Sequence, residues 1–238
     1  MPQLMCGVFG YLGPPARMPS RRAIERATGA LAHRGPDAQG LFRDESQGLV
    51  LGHARLSIID PDGRSDQPFE TEATRLVFNG EIFNFRQLRA EMQRLGVVFR
   101  TDGDTEVIAA GYALWGEAIF GRLRGMFALA LYDRRARRLH LARDEFGIKP
   151  LCMLQRQQEI VFASEIKAIL ADPGVPRELN LNGLSNFLGF GHAVAPETIY
   201  RNIFKLLPGH YLLARNNDVQ IVQYWDVGEE PQLPAGSV

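Results

Sequence analysis

The chain has 238 residues, with 27 Lys plus Arg against 27 Asp plus Glu and a formal charge of +0. That balance gives no argument for nucleic acid or an anionic membrane surface as partner, and no run of 18 or more apolar residues suggests a membrane span. Two cysteines, Cys6 and Cys152, do not make a disulfide framework at this size, and the N-terminus lacks a basic-then-apolar signal, so the expected compartment is a reducing cytoplasm.

The first predicted element is a strand through Cys6-Gly7-Val8-Phe9-Gly10, where two glycines flank two apolar residues and let the backbone pass close to a neighbour. Residues 20–31 read as a short helix, and His33-Arg34-Gly35-Pro36-Asp37 as a turn. Residues 49–59 are strand-rich, and residues 75–81 form a β-run that breaks at Asn79-Gly80, a pair that favours positive φ. Asn84 can cap a helix carrying Phe85, Leu88, Met92 and Leu95 before Gly96, and Asp104 precedes a helical run through Val107, Ile108, Tyr112 and Trp115. Residues 126–132 and 139–143 read as a hairpin joined by the solvated turn at 133–137. A strand at 160–163 leads into a helix at 165–171, and Asn180 can cap another through Phe190. A second hairpin pairs 210–214 with 219–225 through residues 216–218, and residues 228–238 have the composition of a linker or tail. Hairpins punctuated by two groups of helices give the class α+β.

The chemistry centres on Met5-Cys6. Cys6 by itself reads as one more buried thiol, or, if synthesis starts at Met5 and that residue is trimmed, as a nucleophile carrying its own base. A free α-amine has an ordinary pKa of about 7.7–8.0, well matched to taking a proton near neutral pH.

The motifs downstream decide between these readings. They are Cys6-Gly7-Val8-Phe9-Gly10, His33-Arg34-Gly35-Pro36-Asp37, Gly52-His53-Ala54-Arg55-Leu56-Ser57-Ile58-Ile59-Asp60, Asn79-Gly80-Glu81-Ile82-Phe83-Asn84 and Asp102-Gly103-Asp104-Thr105-Glu106. Arg143-Asp144-Glu145-Phe146-Gly147-Ile148-Lys149-Pro150, Ala163-Ser164-Glu165-Ile166-Lys167 and Leu207-Pro208-Gly209-His210 follow in the same order. Together they resemble the glutaminase domain of class II, N-terminal-nucleophile glutamine amidotransferases, in the asparagine synthetase branch. The resemblance implies a four-layer αββα sandwich of two antiparallel sheets between helix layers. It also implies hydrolysis of the glutamine side-chain amide through a thioester on Cys6, with oxyanion donors at the Asn79 side chain and the Gly80 N–H. Arg55 would take the substrate α-carboxylate and Asp104, helped by Glu81, the α-ammonium, with Ile59 completing the binding set. His33 and Arg34 would shape the loop over the pocket, His53 would be a satisfied structural histidine, and Cys152 an inert thiol. No metal ligand set and no cofactor are expected in this domain; ATP and Mg²⁺ would belong to a synthetase domain whose Ser-Gly-Gly-x-Asp-Ser pattern this chain lacks.

The expected division is residues 1–5 as a leader or misassigned start, 6–225 as the glutaminase domain, and 226–238 as a linker stub. With residues 1–5 attached, the Cys6 nitrogen is an amide and cannot be a base. The alternative expectation is therefore an inactive glutamine-binding or scaffold module of the same fold. The expected partners are glutamine and a synthetase domain or subunit, with aspartate the commonest ammonia acceptor in the branch.

Overall fold

The computed structural model describes residues 5–56, 66–215 and 218–229. Chain order brings first β1 (Gly7–Leu12), α1 (Arg21–Gly29), β2 (Ala38–Asp44), β3 (Leu49–Arg55), β4 (Phe69–Glu70), β5 (Thr74–Ile82), α2 (Phe85–Arg94) and α3 (Asp104–Trp115). Then come β6 (Gly125–Asp133), β7 (Arg138–Arg143), β8 (Cys152–Arg156), β9 (Glu159–Ala163), α4 (Ile166–Ile169), α5 (Leu181–Phe190), β10 (Ile203–Lys205), β11 (His210–Arg215) and β12 (Asp218–Gln223).

The strands make two six-stranded sheets, in the orders β10-β8-β9-β1-β3-β2 and β12-β11-β7-β6-β5-β4. Every strand pairing in both is antiparallel. Strand side chains alternate between faces, and three apolar clusters follow from that alternation. Val8, Leu51, Val77, Ala130, Leu141 and Phe162 meet between the sheets. Their sequence neighbours turn the other way: Phe9 and Val50 pack with Ile24, Ala27 and Ile169 of α1 and α4. On the far side Phe78, Leu129 and Leu131 pack with Leu88, Met92, Val107 and Ile108 of α2 and α3. The result is helices, sheet, sheet, helices, the αββα sandwich the resemblance implies. Helix α5 contributes to none of these clusters and buries only Gly183.

Several local expectations change. Strand β5 does not break at Asn79-Gly80, because both residues stay in register with Ala128 and Phe127 of β6; a full ladder of inter-strand hydrogen bonds outweighs the pair's local turn preference. Asn84 holds the cap position of α2 without capping it: its side chain donates to the Arg122 carbonyl and accepts from Arg124 N–H, tying that loop down instead. Asp104 lies inside α3, with Gly103 in the cap position. The helix expected over 165–171 shortens to α4. Strands β2 and β8 were not expected: β2 alternates half-buried and exposed residues at a sheet edge. Helix α1, by contrast, starts as predicted, with the Ser20 hydroxyl accepting from Ala23 N–H. Ile59 and the Asn216-Asn217 turn lie outside the described residues.

Candidate active site

The site forms where the two sheets face each other, and side-chain parity decides which residues enter it. Val8 points between the sheets, so Cys6, two residues earlier, shares that face. Val77 does the same on β5, which turns Asn79 toward the opposite sheet; Leu51 on β3 does so for His53 and Arg55. Strands β1 and β3 pack across β5. The buried His53 marks the crossing, its Nε2 donating to the Phe78 carbonyl at 3.1 Å. Burial lowers the pKa of His53 to about 4, so the ring is neutral. His53 is only half satisfied, contrary to expectation, since Nδ1 has no partner among the described residues.

Cys6 is half-buried at the start of β1. Leu56 N–H donates to its sulfur at 3.3 Å, and the thiol faces the Leu56 carbonyl at 3.6 Å. Burial raises the thiol pKa, against the pull of that N–H and of Arg55, Arg34 and Lys149. Farther along β1, a Cβ at Gly10 would lie 2.1 Å from the Phe162 ring and 2.8 Å from the Val50 carbonyl oxygen, so the glycine admits both the ring and the neighbouring strand. Ser164 fixes the strand from the side: its hydroxyl accepts from Val8 N–H at 3.0 Å and its own N–H donates to the Val8 carbonyl at 2.9 Å.

The turn at 33–37 closes over this end. Arg34 Nε donates to the Cys6 carbonyl at 2.9 Å and Nη1 to Glu165 at 2.8 Å, while His33 and Lys167 each reach Glu165 at 3.0 Å. Glu165 thus gathers three side chains behind Cys6, a role that the sequence, which separates it from Arg34 by 131 positions, does not display.

Asn79 is 1% exposed, and its amide nitrogen, Nδ2, has no hydrogen-bond partner among the described residues. Gly80 beside it has φ +155°, and a Cβ there would lie 2.0 Å from the Met126 carbonyl oxygen, so only glycine fits. Asp104 is buried, and its carboxylate accepts from Ile82 N–H at 3.0 Å. Burial raises its pKa to about 6 despite that bond, with the charge of Glu81 adding to the rise. The loop before α3 is held by Glu106, which takes Arg100 N–H, Thr101 N–H at 2.7 Å and the Thr101 hydroxyl at 2.8 Å. Arg55 is not an open cation: its guanidinium is ion-paired with Asp66.

Among the described residues no three or more His, Cys, Asp or Glu side chains are placed to hold a metal ion, and no helix is long and apolar enough to cross a membrane. The arrangement is a thiol and an amide, the latter unpartnered among the described residues, facing one interior, with the Arg55 cation on β3 and the Asp104 carboxyl at the start of α3.

Comparison with known proteins gives the family and the fold. The sequence model for a glutamine amidotransferase domain matches residues 5–225. A putative glutamine-hydrolysing asparagine synthetase from Mycobacterium bovis is 39% identical over 89% of this chain and 35% of its own length. Glutamine-hydrolysing asparagine synthetase 3 from Bacillus subtilis is 32% identical over 95% of this chain and 37% of its own. The chain therefore spans about a third of the length of these relatives. In fold it is similar to the glutamine phosphoribosylpyrophosphate amidotransferase of B. subtilis, with a TM-score of 0.64 at 20% identity, over 92% of this chain and 49% of that one.

Proposed function

This chain belongs to the class II glutamine amidotransferase family, and on that premise we propose that it hydrolyses the side-chain amide of glutamine to glutamate and ammonia through a thioester on Cys6. The observation that carries the proposal is the Asn79 amide, buried, with its nitrogen unpartnered among the described residues and turned toward the face that Cys6 shares. Leaving a buried donor unpaired costs about 1–3 kcal/mol, and a site prepared this way returns that energy when a negative oxygen forms beside it.

In a chain that begins at Cys6, the α-amine takes the thiol proton and the sulfur attacks the amide carbon. The resulting oxyanion is met by Asn79 Nδ2 and Gly80 N–H. Collapse breaks the C–N bond, the ammonium proton passes to the leaving nitrogen, and ammonia departs. Water, deprotonated by the same amine, then cleaves the thioester to glutamate and restores the thiol. Arg55 holds the substrate α-carboxylate, Asp104 with Glu81 holds the α-ammonium, and Ile59 lines the same pocket. The ammonia would pass to an ATP- and Mg²⁺-dependent amidation, aspartate to asparagine, in a synthetase portion of the kind named in its relatives.

A second reading has an observation of its own. Met5 N–H donates to the Arg34 carbonyl at 2.9 Å, so the residue before Cys6 is seated in the fold and the Cys6 nitrogen is an amide. In that form the domain binds glutamine without turning it over. Ammonia release should be compared for a chain beginning at Cys6 and one that keeps Met5, with calorimetric glutamine binding to Cys6→Ala. Turnover from the first alone supports the proposed mechanism. Equal turnover from both sinks it, and binding without turnover in both favours the second reading.

A further inference from the structure

The reaction as written makes no use of Lys149, which is buried next to Cys6. Its backbone is clamped from two sides: its N–H donates to Asp144 Oδ2 at 3.0 Å, and its carbonyl accepts from Arg143 Nε at 2.9 Å. Asp144, fully buried, also takes the N–H groups of Phe127, Phe146 and Ile148. The other guanidinium nitrogens of Arg143 donate to the Leu206 and Gly147 carbonyls, at 2.6 Å each. The lysine is thus carried on a fixed loop. Its Nζ lies 3.0 Å from Met5 Sδ, and among the described residues it has no carboxylate within ion-pair distance. A thioether is a weak acceptor for an ammonium. The clamp fixes the backbone from which the side chain extends, and burial confines the ammonium beside Met5 and Cys6.

We propose that Lys149 is a positioning residue that holds a fixed positive charge beside residue 6, keeping the freed α-amine in its neutral, proton-accepting form. The inference rests on the reading that this amine is the base. Met5 is bonded directly to the Cys6 nitrogen, so a chain that begins at Cys6 lacks the thioether and leaves Nζ facing the space next to the new terminus. A like charge disfavours protonation of that amine, while the same charge favours ionisation of the thiol, so both partners of the proton transfer move in one direction. The other groups around the site are Arg34 and His33 from the turn after α1, both on Glu165; Lys167 on the same carboxylate; Arg55 from β3 with Asp66; and Glu81 from β5 with Asp144 from the loop. Glu81 and Asp144 act against burial to keep Lys149 charged, and Arg34 and Arg55 are each held by a carboxylate.

The test uses chains beginning at Cys6: the parent, Lys149→Met and Lys149→Arg, with Lys149→Gln prepared in case the Met variant fails to fold by circular dichroism. Two profiles are measured against pH: kcat/KM for ammonia release from glutamine, and the rate of iodoacetamide alkylation read at the Cys6 peptide by mass spectrometry. Removing the charge should move the acid limb of kcat/KM up by about one pH unit and raise the apparent thiol pKa in the same direction. Lys149→Arg should keep the parent limb. An acid limb and an alkylation profile that both stay in place in Lys149→Met overturn the proposal, including where the plateau falls, since that pattern marks a purely structural lysine. If the parent itself releases no ammonia, the reading of the function fails, and the alkylation profile still decides the role of Lys149.

Discussion

Replacing Asp104 by Asn separates the cost of burying a carboxylate from its use. Asp104 is 5% exposed at the start of α3, and burial raises its pKa from 3.8 to about 6. Between those two values the folded chain holds a proton that the unfolded chain has lost, so this group's contribution to stability falls as pH rises through the window. At about 1.36 kcal/mol for each tenfold change in acidity, the rise corresponds to about 3 kcal/mol. Asparagine keeps an oxygen for the Ile82 N–H and carries no charge. Asp104→Asn should therefore match its parent in stability below about pH 4 and exceed it by up to about 3 kcal/mol above pH 7. Urea unfolding across pH, followed by tryptophan fluorescence, measures the difference. The same variant should bind glutamine worse, because losing the charged partner of the substrate ammonium costs on the order of 2–5 kcal/mol, a KM increase of at least roughly thirtyfold. A variant less stable than its parent at pH 8 would show that the carboxylate is a stabilising charge, and an unchanged KM would remove Asp104 from the pocket.

Arg55→Ala should chiefly raise KM, since the α-carboxylate is held alike in ground and transition states, whereas Asn79→Ala should chiefly lower kcat; steady-state kinetics that reverse this split would exchange their roles. Gly80→Ala forces a Cβ to within 2.0 Å of the Met126 carbonyl oxygen, so it should lower stability by at least about 1–3 kcal/mol in thermal denaturation and abolish turnover. A folded Gly80→Ala protein with the parent's melting temperature would refute that reasoning. Glu106→Gln turns an amide N–H₂ toward donors that the carboxylate now accepts, at a cost of about 1–3 kcal/mol, and should loosen the loop enough to raise KM alongside.

What the sequence disclosed depended on how far apart the cooperating residues lie. Strands β5, β6 and β7 announce themselves because their apolar residues feed clusters on both faces, and Ser20 and Asn180 mark helix starts by local capping bonds. Strands β2 and β8 do not: the first is a half-polar edge, and the second, buried at Cys152, Met153 and Leu154, follows Pro150 without a local start signal. For the candidate site, Cys6, Arg55, Asn79, Gly80 and Asp104 are proposed from motifs. What could not be read was that Arg55 already has Asp66, that Asn79-Gly80 is mid-strand, and that Glu106, Glu165 and Lys149 organise the surroundings. Those facts are tertiary contacts or strand pairings rather than local patterns, and the Glu165 and Lys149 contacts each span more than a hundred residues.

The two halves of the proposed reaction come from different sheets, and this explains why the interior between them is built as it is. Cys6 leads into the strand at the middle of one sheet, and Asn79 sits in the ladder of the other opposite Ala128. Ala128 and Ala130 both belong to the cluster between the sheets, where larger side chains would hold the layers apart. Small residues on that face let the sheets close, and the His53 bond to the Phe78 carbonyl then fixes β3 against β5 one residue before Asn79. Because His53 is neutral, that link contributes a hydrogen bond without burying a charge between the sheets. In the proposed reaction the separation of Cys6 from Asn79 therefore depends on how the two sheets stack, together with the turn at 33–37 and Leu56, which hold Cys6. A substitution that alters inter-sheet packing should impair turnover even where every residue that touches glutamine is intact.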